Sequence, residues 1–325
     1  MKAPAFWSRP GAPLGTILSP LGCLYGCAGA VRAAFARPAR VPVPVICVGN
    51  LTAGGAGKTP VTLAIAAALK TGAPAFLTRG YGGRMAGPVC VDPGVHRHAD
   101  VGDEALLLAR AAPTWVAHDR AEGARAAILG GATCIVMDDG HQNPTLTKDI
   151  SIVVIDGETG FGNGHLLPAG PLREPISRGL ARADAAVIVG ADRAGVAEQL
   201  PDALPVLTGT IRPVDEPGTW FGRRVVAFAG IGRPAKFFAT LTELGSEVAA
   251  THAFADHHPF TETEVARLVA DADARDATLV TTEKDAVRLP PGVREKVEVL
   301  AVRFAWDDPA ALDRLLSEKI ETATP

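Results

Sequence analysis

From Val43 onward, short apolar runs rich in β-branched residues alternate with stretches whose apolar positions recur every three or four residues, the spacing of one helix face. That alternation predicts parallel strands covered by helices on both faces of a sheet, because a parallel pair needs a crossover that lies over it. Strands are expected at 43–48, 75–78, 114–117, 134–137, 150–155 and 185–189, with helices beginning near Lys58, Asp103, Arg120 and Asp192. A second set follows Pro217 and Gly218: strand 225–229, helix 234–244, strand 248–254, helix 261–272, strands 278–282 and 297–304, and a last helix 309–320. Between the sets, 209–218 reads GTIRPVDEPG, the extended and turn-forming composition of a hinge. The expected organisation is a leading segment 1–40, a larger unit 41–208, a hinge 209–218 and a smaller α/β/α domain 219–325.

The leading segment carries no charge from Pro10 to Val31, long enough to raise a membrane span or a secretory signal. Three prolines and five glycines interrupt that run. Leu21, Leu24, Tyr25, Ala28, Val31 and Phe35 recur at helical spacing, so the pattern predicts a short amphipathic helix with Arg32 and Arg37 at its basic end. Such a helix either lies in a lipid interface or packs on the protein's own core, and the pattern alone leaves both open.

At 325 residues, 47% hydrophobic and 21% charged, the composition is that of a globular chain with room for two cores. A formal net charge of -3 argues against a surface given over to nucleic acid. The charge is uneven: the first forty residues hold Lys2, Arg9, Arg32, Arg37 and Arg40 and no acid. Five cysteines with no paired spacing, two of them (Cys47 and Cys134) inside strand-like runs, fit a reducing cytosolic compartment.

The run ending at Val48 is followed by GNLTAGGAGKTP. A strand, a glycine-rich turn and a helix opening at Lys58 and Thr59 gather backbone N–H groups around one anion-sized space, and phosphate is its natural occupant. Against the P-loop pattern, Gly57, Lys58 and Thr59 match and the first glycine falls on Thr52, while Gly54 and Gly55 restore conformational freedom later in the loop. Thr52, Gly54, Gly55, Ala56, Gly57, Lys58 and Thr59 are therefore the candidate nucleotide-phosphate site, with Lys58 reaching the β- and γ-phosphates and the Thr59 hydroxyl on Mg2+. The fold class expected is a P-loop NTPase-type parallel sheet with a second, smaller α/β/α domain. The apolar run 134–137 ends in Asp138-Asp139-Gly140-His141-Gln142, and a carboxylate at the end of a neighbouring strand is where such a site keeps its second magnesium contact. On an extended chain Asp138 and Asp139 point to opposite sides, one toward the metal and one toward a hydrogen-bond network.

Eight motifs in order make the resemblance specific: VPVPVICVGNLTAGGAGKTP (41–60), TRGYGGR (78–84), VGDEALLLA (101–109), DDGHQ (138–142), LLPAGPLREP (166–175), AFAGIGRPAKFF (227–238), FADHH (254–258) and TTEKDAV (281–287). Together they span nearly the whole chain, which resembles the tetraacyldisaccharide 4'-kinases of Gram-negative bacteria. The resemblance implies transfer of the ATP γ-phosphate to the 4'-hydroxyl of a tetraacylated glucosamine disaccharide 1-phosphate, giving lipid IVA at the cytoplasmic face of the inner membrane. It implies ATP and Mg2+ as cofactors, a lipid substrate, a membrane surface, no nucleic acid and no obligate protein partner. It favours the interfacial reading of the leading helix, since a lipid substrate does not easily leave the bilayer. By the same resemblance Asp103 matches the catalytic aspartate and His257 the histidine that orients it, although residue type alone would make Asp103 a helix cap.

Other positions stay open at this stage. Arg79 and Tyr81 either contact sugar or phosphate or shape a turn, and Arg173 and Glu174 either touch substrate or brace their loop. Glu283, Lys284 and Asp285 either meet nucleotide, close a cleft or cap a helix. A metal cluster of His252, Asp256, His257 and His258 is disfavoured, because no distant partner is evident. The rival class, a membrane-associated regulatory ATPase of the partition and septum-site type, carries a lysine before its glycine pair where this chain has Ala53, and its amphipathic helix lies at the other end. A metallochaperone would need clustered cysteines and histidines.

Overall fold

The computed structural model describes residues 4–70 and 72–323; Lys2 of the basic segment lies outside them. The first helix is α1 (Pro13–Ala34), 22 residues long. It is neither short nor amphipathic, because Pro13 opens it, Pro20 is accommodated inside, and Gly15, Gly22 and Gly26 are not breaks but one packing face. A Cβ at Gly22 would stand 3.0 Å from the Leu166 carbonyl oxygen, so glycine there lets α1 lie directly on the 163–172 loop. The remaining faces are apolar and bare: Ile17, Leu24 and Val31, seven residues apart, are all exposed.

The larger unit runs β1 (Val45–Gly49), α2 (Lys58–Ala68), β2 (Pro74–Thr78), β3 (Val89–Cys90), α3 (His98–Val101), α4 (Asp103–Leu108), β4 (Thr114–Val116), α5 (Arg120–Leu129), β5 (Cys134–Asp138), β6 (Ile150–Asp156), α6 (Ile176–Leu180), β7 (Ala185–Val189) and β8 (Val206–Pro213). No α-helix starts at Asp192. Its carboxylate accepts from the Val196 and Ala197 N–H groups instead, and holds a turn before a single 3-10 stretch.

The smaller unit runs β9 (Arg224–Ala229), α7 (Pro234–Glu243), β10 (Glu247–Ala253), α8 (Glu262–Ala274), β11 (Thr278–Thr282), α9 (Glu283–Ala286), α10 (Pro291–Arg294) and β12 (Glu298–Leu300). Its four parallel strands lie in the order β10-β9-β11-β12. Alternation along β9 explains its two covered faces: Val225 and Ala227 pack with Phe237 and Leu241 of α7, and Val226 and Phe228 with Val265 and Leu268 of α8.

Two expected boundaries move. The run 297–304 divides at Ala301: β12 stays in the small sheet, whereas β13 (Val302–Trp306) crosses back and pairs antiparallel with β8. The last helix, α11 (Pro309–Ala323), follows it, burying Leu312, Leu315 and Leu316 with Val61 and Ile65 of α2. The small unit therefore ends near residue 300, not 325. The expected hinge is half strand, since Gly209–Trp306 and Pro213–Val302 are register pairs and only 214–218 remains as a link. Its glycine and proline read as linker because the strand that pairs with 209–213 lies ninety residues away. The full large sheet is β13-β8-β7-β6-β1-β5-β2-β4-β3, parallel except at its two ends. β1 lies between β5 and β6, and the C-terminal ends of these three strands open the crevice that open α/β sheets use for ligands.

Candidate active site

At the end of β1 the chain turns through 50–57 into α2. Gly57 caps that helix at φ +82°, a left-handed conformation in which a side chain would be strained, and Gly54 sits at φ +124°. Thr52 needs no such freedom. It forms an antiparallel bridge with Leu172, flanked by Ala53 N–H donating to the Pro171 carbonyl at 2.7 Å and Arg173 N–H to the Leu51 carbonyl at 2.8 Å. The first glycine of the usual pattern is dispensable here because the loop is stitched in extended form to the 166–175 segment. The Lys58 ammonium lies 3.3 Å from Asn50 Oδ1, to which it donates, and 3.7 Å from Asp139 Oδ1.

Asp138 closes β5 and is buried. Its Oδ1 accepts from the Thr62 hydroxyl at 3.0 Å, and its Oδ2 has no partner among the described residues. Burial, together with the Glu104 and Asp139 carboxylates, pushes its pKa up to about 7. An orphaned buried carboxylate oxygen beside a phosphate loop fits a divalent cation that prefers oxygen ligands. Among the described residues no three His, Cys, Asp or Glu side chains converge on one point, so such a cation would draw further ligands from Thr59, water and phosphate. Asp139 is not extended: at φ +52° it turns its carboxylate toward Lys58 and a two-pronged contact with Arg173 Nη1 at 2.8 and 3.0 Å. Strand alternation therefore does not govern the pair. Burial opposes ionisation of Asp139, but Lys58 and Arg173 outweigh it and hold its carboxyl below the usual range.

The last two residues of that motif are framework. His141 is buried, with Nδ1 2.9 Å from Ser151 Oγ and Nε2 2.9 Å from the Gly179 carbonyl, which can only accept. Nε2 thus carries the proton and donates, and Nδ1 accepts from the serine. Burial pushes its pKa down to about 4. The unfolded chain takes up this proton below about pH 6.5 and the folded chain resists until about 4, so stability rises with pH across that window. At ~1.4 kcal/mol per unit the full effect is on the order of 3 kcal/mol. His141→Gln is expected to flatten the rise in urea midpoint between pH 4.5 and 6.5; an unchanged slope would show that His141 is not held neutral. Gln142 donates to the Asn50 carbonyl at 2.8 Å and to Glu174 at 3.0 Å, and Glu174 is clamped by Arg182.

Across the crevice stands the second constellation. Asp103 opens α4 after Gly102, buried, with Oδ1 accepting from the Glu104 N–H at 2.9 Å. Its Oδ2 is 2.8 Å from His257 Nδ1 and 3.3 Å from Arg288 Nε, although 154 residues separate Asp103 from His257. Burial would raise the Asp103 pKa, but the His257 hydrogen bond, Lys284 and Arg288 prevail and lower it. His257 is one of three non-glycine residues at positive φ (+59°) among those described, its N–H tied to the Gly230 carbonyl. Strain held by surrounding bonds at such a residue is common at functional sites. Arg233 of the small unit pairs with Asp156 at the end of β6 and donates to the Gly55 carbonyl at 3.3 Å, so the small unit reaches the phosphate loop itself.

A sequence profile described as tetraacyldisaccharide-1-P 4'-kinase matches residues 14–321. The chain belongs to this 4'-kinase family. Tetraacyldisaccharide 4'-kinase of Rhodospirillum rubrum is 52% identical over 98% of each chain, and that of Gluconacetobacter diazotrophicus is 52% identical over the full length of both. The apo-form LpxK of Aquifex aeolicus, solved in complex with ATP, superposes with a TM-score of 0.75 at 27% identity, covering 94% of this chain and 99% of that one.

Within this 4'-kinase, the open positions of the sequence divide. Arg173 and Glu174 are engaged with protein partners, and Glu283 accepts from the Val302 N–H where the chain passes between sheets. Tyr81 is exposed, with its ring 5.5 Å from that of His257. His252 and His258 pair separately with Asp271 and Glu264 and do not converge. Sequence reading missed Arg288, fully buried with its guanidinium on Asp103, Asp285 and the Gly230 and His258 carbonyls. A lone arginine in a charged helical turn reads as surface, and nothing local marks it otherwise. Glu104 and Arg233 were missed because each acts through a partner far along the chain, Lys284 and Asp156, whereas Asn50 was missed although the Lys58 it holds is only eight residues on.

Proposed function

We propose that this 4'-kinase transfers the γ-phosphate of ATP to the 4'-hydroxyl of a tetraacylated disaccharide 1-phosphate, with Asp103 as base, His257 as its orienting partner and Lys58 on the transferred phosphate. The reading is carried by one juxtaposition: a P-loop lysine on the large unit and an aspartate–histidine pair joining the two units across the same crevice. Phosphoryl transfer demands alignment and charge neutralisation more than covalent help. The backbone N–H groups of 54–57 and the N-terminus of α2 receive the phosphates, and Lys58, already poised by Asn50, neutralises charge on the oxygens in flight. As the O4'–phosphorus bond forms and the bond to the β-phosphate oxygen breaks, Asp103 accepts the hydroxyl proton. Its low basicity suits a loose transition state, in which the proton leaves late. Asp138 and Thr59 would hold Mg2+, with Asp139 placing Lys58 and Arg173 beside it. Bound there, Mg2+ supplies charge neutralisation at the β- and γ-phosphate oxygens.

The test is incubation with labelled ATP and a tetraacyldisaccharide 1-phosphate, followed by chromatography of the lipid. ATP turnover that ignores the acylated acceptor would refute it and return the chain to the regulatory ATPase class. Asp138→Asn is expected to raise the Mg2+ concentration needed for half-maximal rate by on the order of tenfold or more, as loss of a ligand should.

The membrane is the second element of this reading. α1 is the one helix among the described residues long and apolar enough to cross a bilayer, with a mean hydropathy of 1.5 and most of its residues exposed. We infer that it enters the cytoplasmic face of the inner membrane beside the crevice, since Arg32 donates to the Gln142 carbonyl at 3.3 Å and so docks its basic end on the active-site framework. Replacing Ile17, Leu24 and Val31 together by glutamate should move the protein from vesicles to the soluble fraction. It should also depress turnover on vesicle substrate more than on detergent-dispersed substrate. Unchanged partitioning would assign α1 to an intramolecular role.

A further inference from the structure

Lys284, at the start of α9, touches the active pair and is left unused by the mechanism. Its ammonium lies 3.3 Å from Glu104 Oε1 and 3.4 Å from His257 Nε2. An ammonium has only donors, so His257 Nε2 must be the acceptor, and the ring proton is left to Nδ1, which faces Asp103 Oδ2 at 2.8 Å. The other charged groups around the ring are Asp103 and Glu104 from α4, Arg288 beyond α9, and Asp256 in its own loop, while Tyr81 covers one side. Asp256 Oδ1 stands 3.8 Å from Nε2 and has no hydrogen-bond partner among the described residues, so it favours a proton on Nε2 where Lys284 opposes one.

We propose that Lys284 is a positioning residue for the proposed Asp103 base: its ammonium blocks His257 Nε2, so that the ring proton lies on Nδ1 and is directed at Asp103. The inference rests on the reading of Asp103 as base only for its kinetic consequence. Burial opposes the charge on Lys284, but Glu104, Asp103 and Asp256 prevail and keep it an ammonium. Two things follow. His257 cannot relay the proton that Asp103 accepts, because its free nitrogen faces a cation; that proton leaves from Asp103 itself. Without Lys284, Nε2 faces the unpartnered Asp256 carboxylate, and the ring becomes an imidazolium between two carboxylates, which weakens Asp103 as a base.

The experiment is two-bond 1H–15N NMR of the full chain labelled with [15N]histidine, with His257 assigned by His257→Gln, alongside kcat against pH. The wild type should show the His257 ring proton on Nδ1 and Nε2 without one. In Lys284→Met a proton should appear on Nε2, facing Asp256, and Lys284→Arg, which also only donates, should restore the wild-type pattern. The acid limb of kcat should move upward with it in Lys284→Met and stay in place in Lys284→Arg. A wild-type His257 protonated on Nε2, or a Lys284→Met spectrum that matches wild type, overturns the proposal, and the first needs no variant to fold. An NMR shift with a fixed kcat limb leaves Lys284 in its role and refutes Asp103 as the base.

Discussion

Asp103→Ala is expected to lower kcat by on the order of a hundred- to ten-thousand-fold with little change in the KM for ATP, the range for removal of the proposed general base from a site whose binding groups survive. The nucleotide-phosphate groups lie on the 50–59 loop and helix start, and Asp103 makes no contact with them; its partners are His257, Arg288 and the Glu104 N–H. Because the substitution leaves Arg288 short of one carboxylate in a buried setting, Asp103→Asn belongs in the same experiment: it keeps the volume and should lose comparable rate with a smaller loss of thermal stability. His257→Ala is expected to cost as much or less. The double variant should be far less than multiplicatively worse, since two groups that act as one unit are lost together. Fully multiplicative losses would dissolve the pair into two independent contributions.

Lys58→Ala should reduce kcat/KM by on the order of a hundred- to a thousand-fold, the scale for losing one preorganised charge at a developing oxyanion. The fold should survive. Lys58 is held by Asn50 and a loose ion pair, and Asp139 retains its two-pronged contact with Arg173 when the ammonium is gone. A thermal midpoint within a few degrees of wild type, measured beside the rate, separates lost chemistry from lost structure. Near-normal turnover in the folded variant would sink the phosphate-loop assignment. Lys58→Arg should not restore it, since a planar fork cannot replace a compact charge seated between Asn50 and Asp139.

Much of this was legible along the chain because it is local. Apolar alternation placed β9 and β11 and the starts of α2, α4 and α5 to within a residue, since periodicity records which face is buried. The strand–glycine loop–lysine order located the phosphate cradle, since the anion is bound by backbone N–H groups that a short segment supplies alone. Resemblance across eight motifs pointed to Asp103 and His257 before any contact between them was visible.

What the chain could not disclose is what depends on a distant partner. The α1 glycines read as helix breakers until the 163–172 loop gave them a surface to approach, and 209–213 read as hinge until β13 returned to pair with it. Asp138 and Asp139 read as an alternating pair, but the left-handed turn at Asp139 aims its carboxylate at Lys58 and Arg173. Arg288 carried no local mark and Lys284 was left open as a nucleotide contact, a cleft-closing group or part of a helix cap, and only the meeting of α4 with α9 sets them against Asp103, Glu104 and His257. Periodicity and backbone chemistry are written within a few residues of each element, so the sequence by itself determined the layered α/β class, the phosphate loop and the candidate groups. The charge, tautomer and orientation of a buried side chain depend on the field of whatever is folded against it, and that was decided only by the tertiary structure.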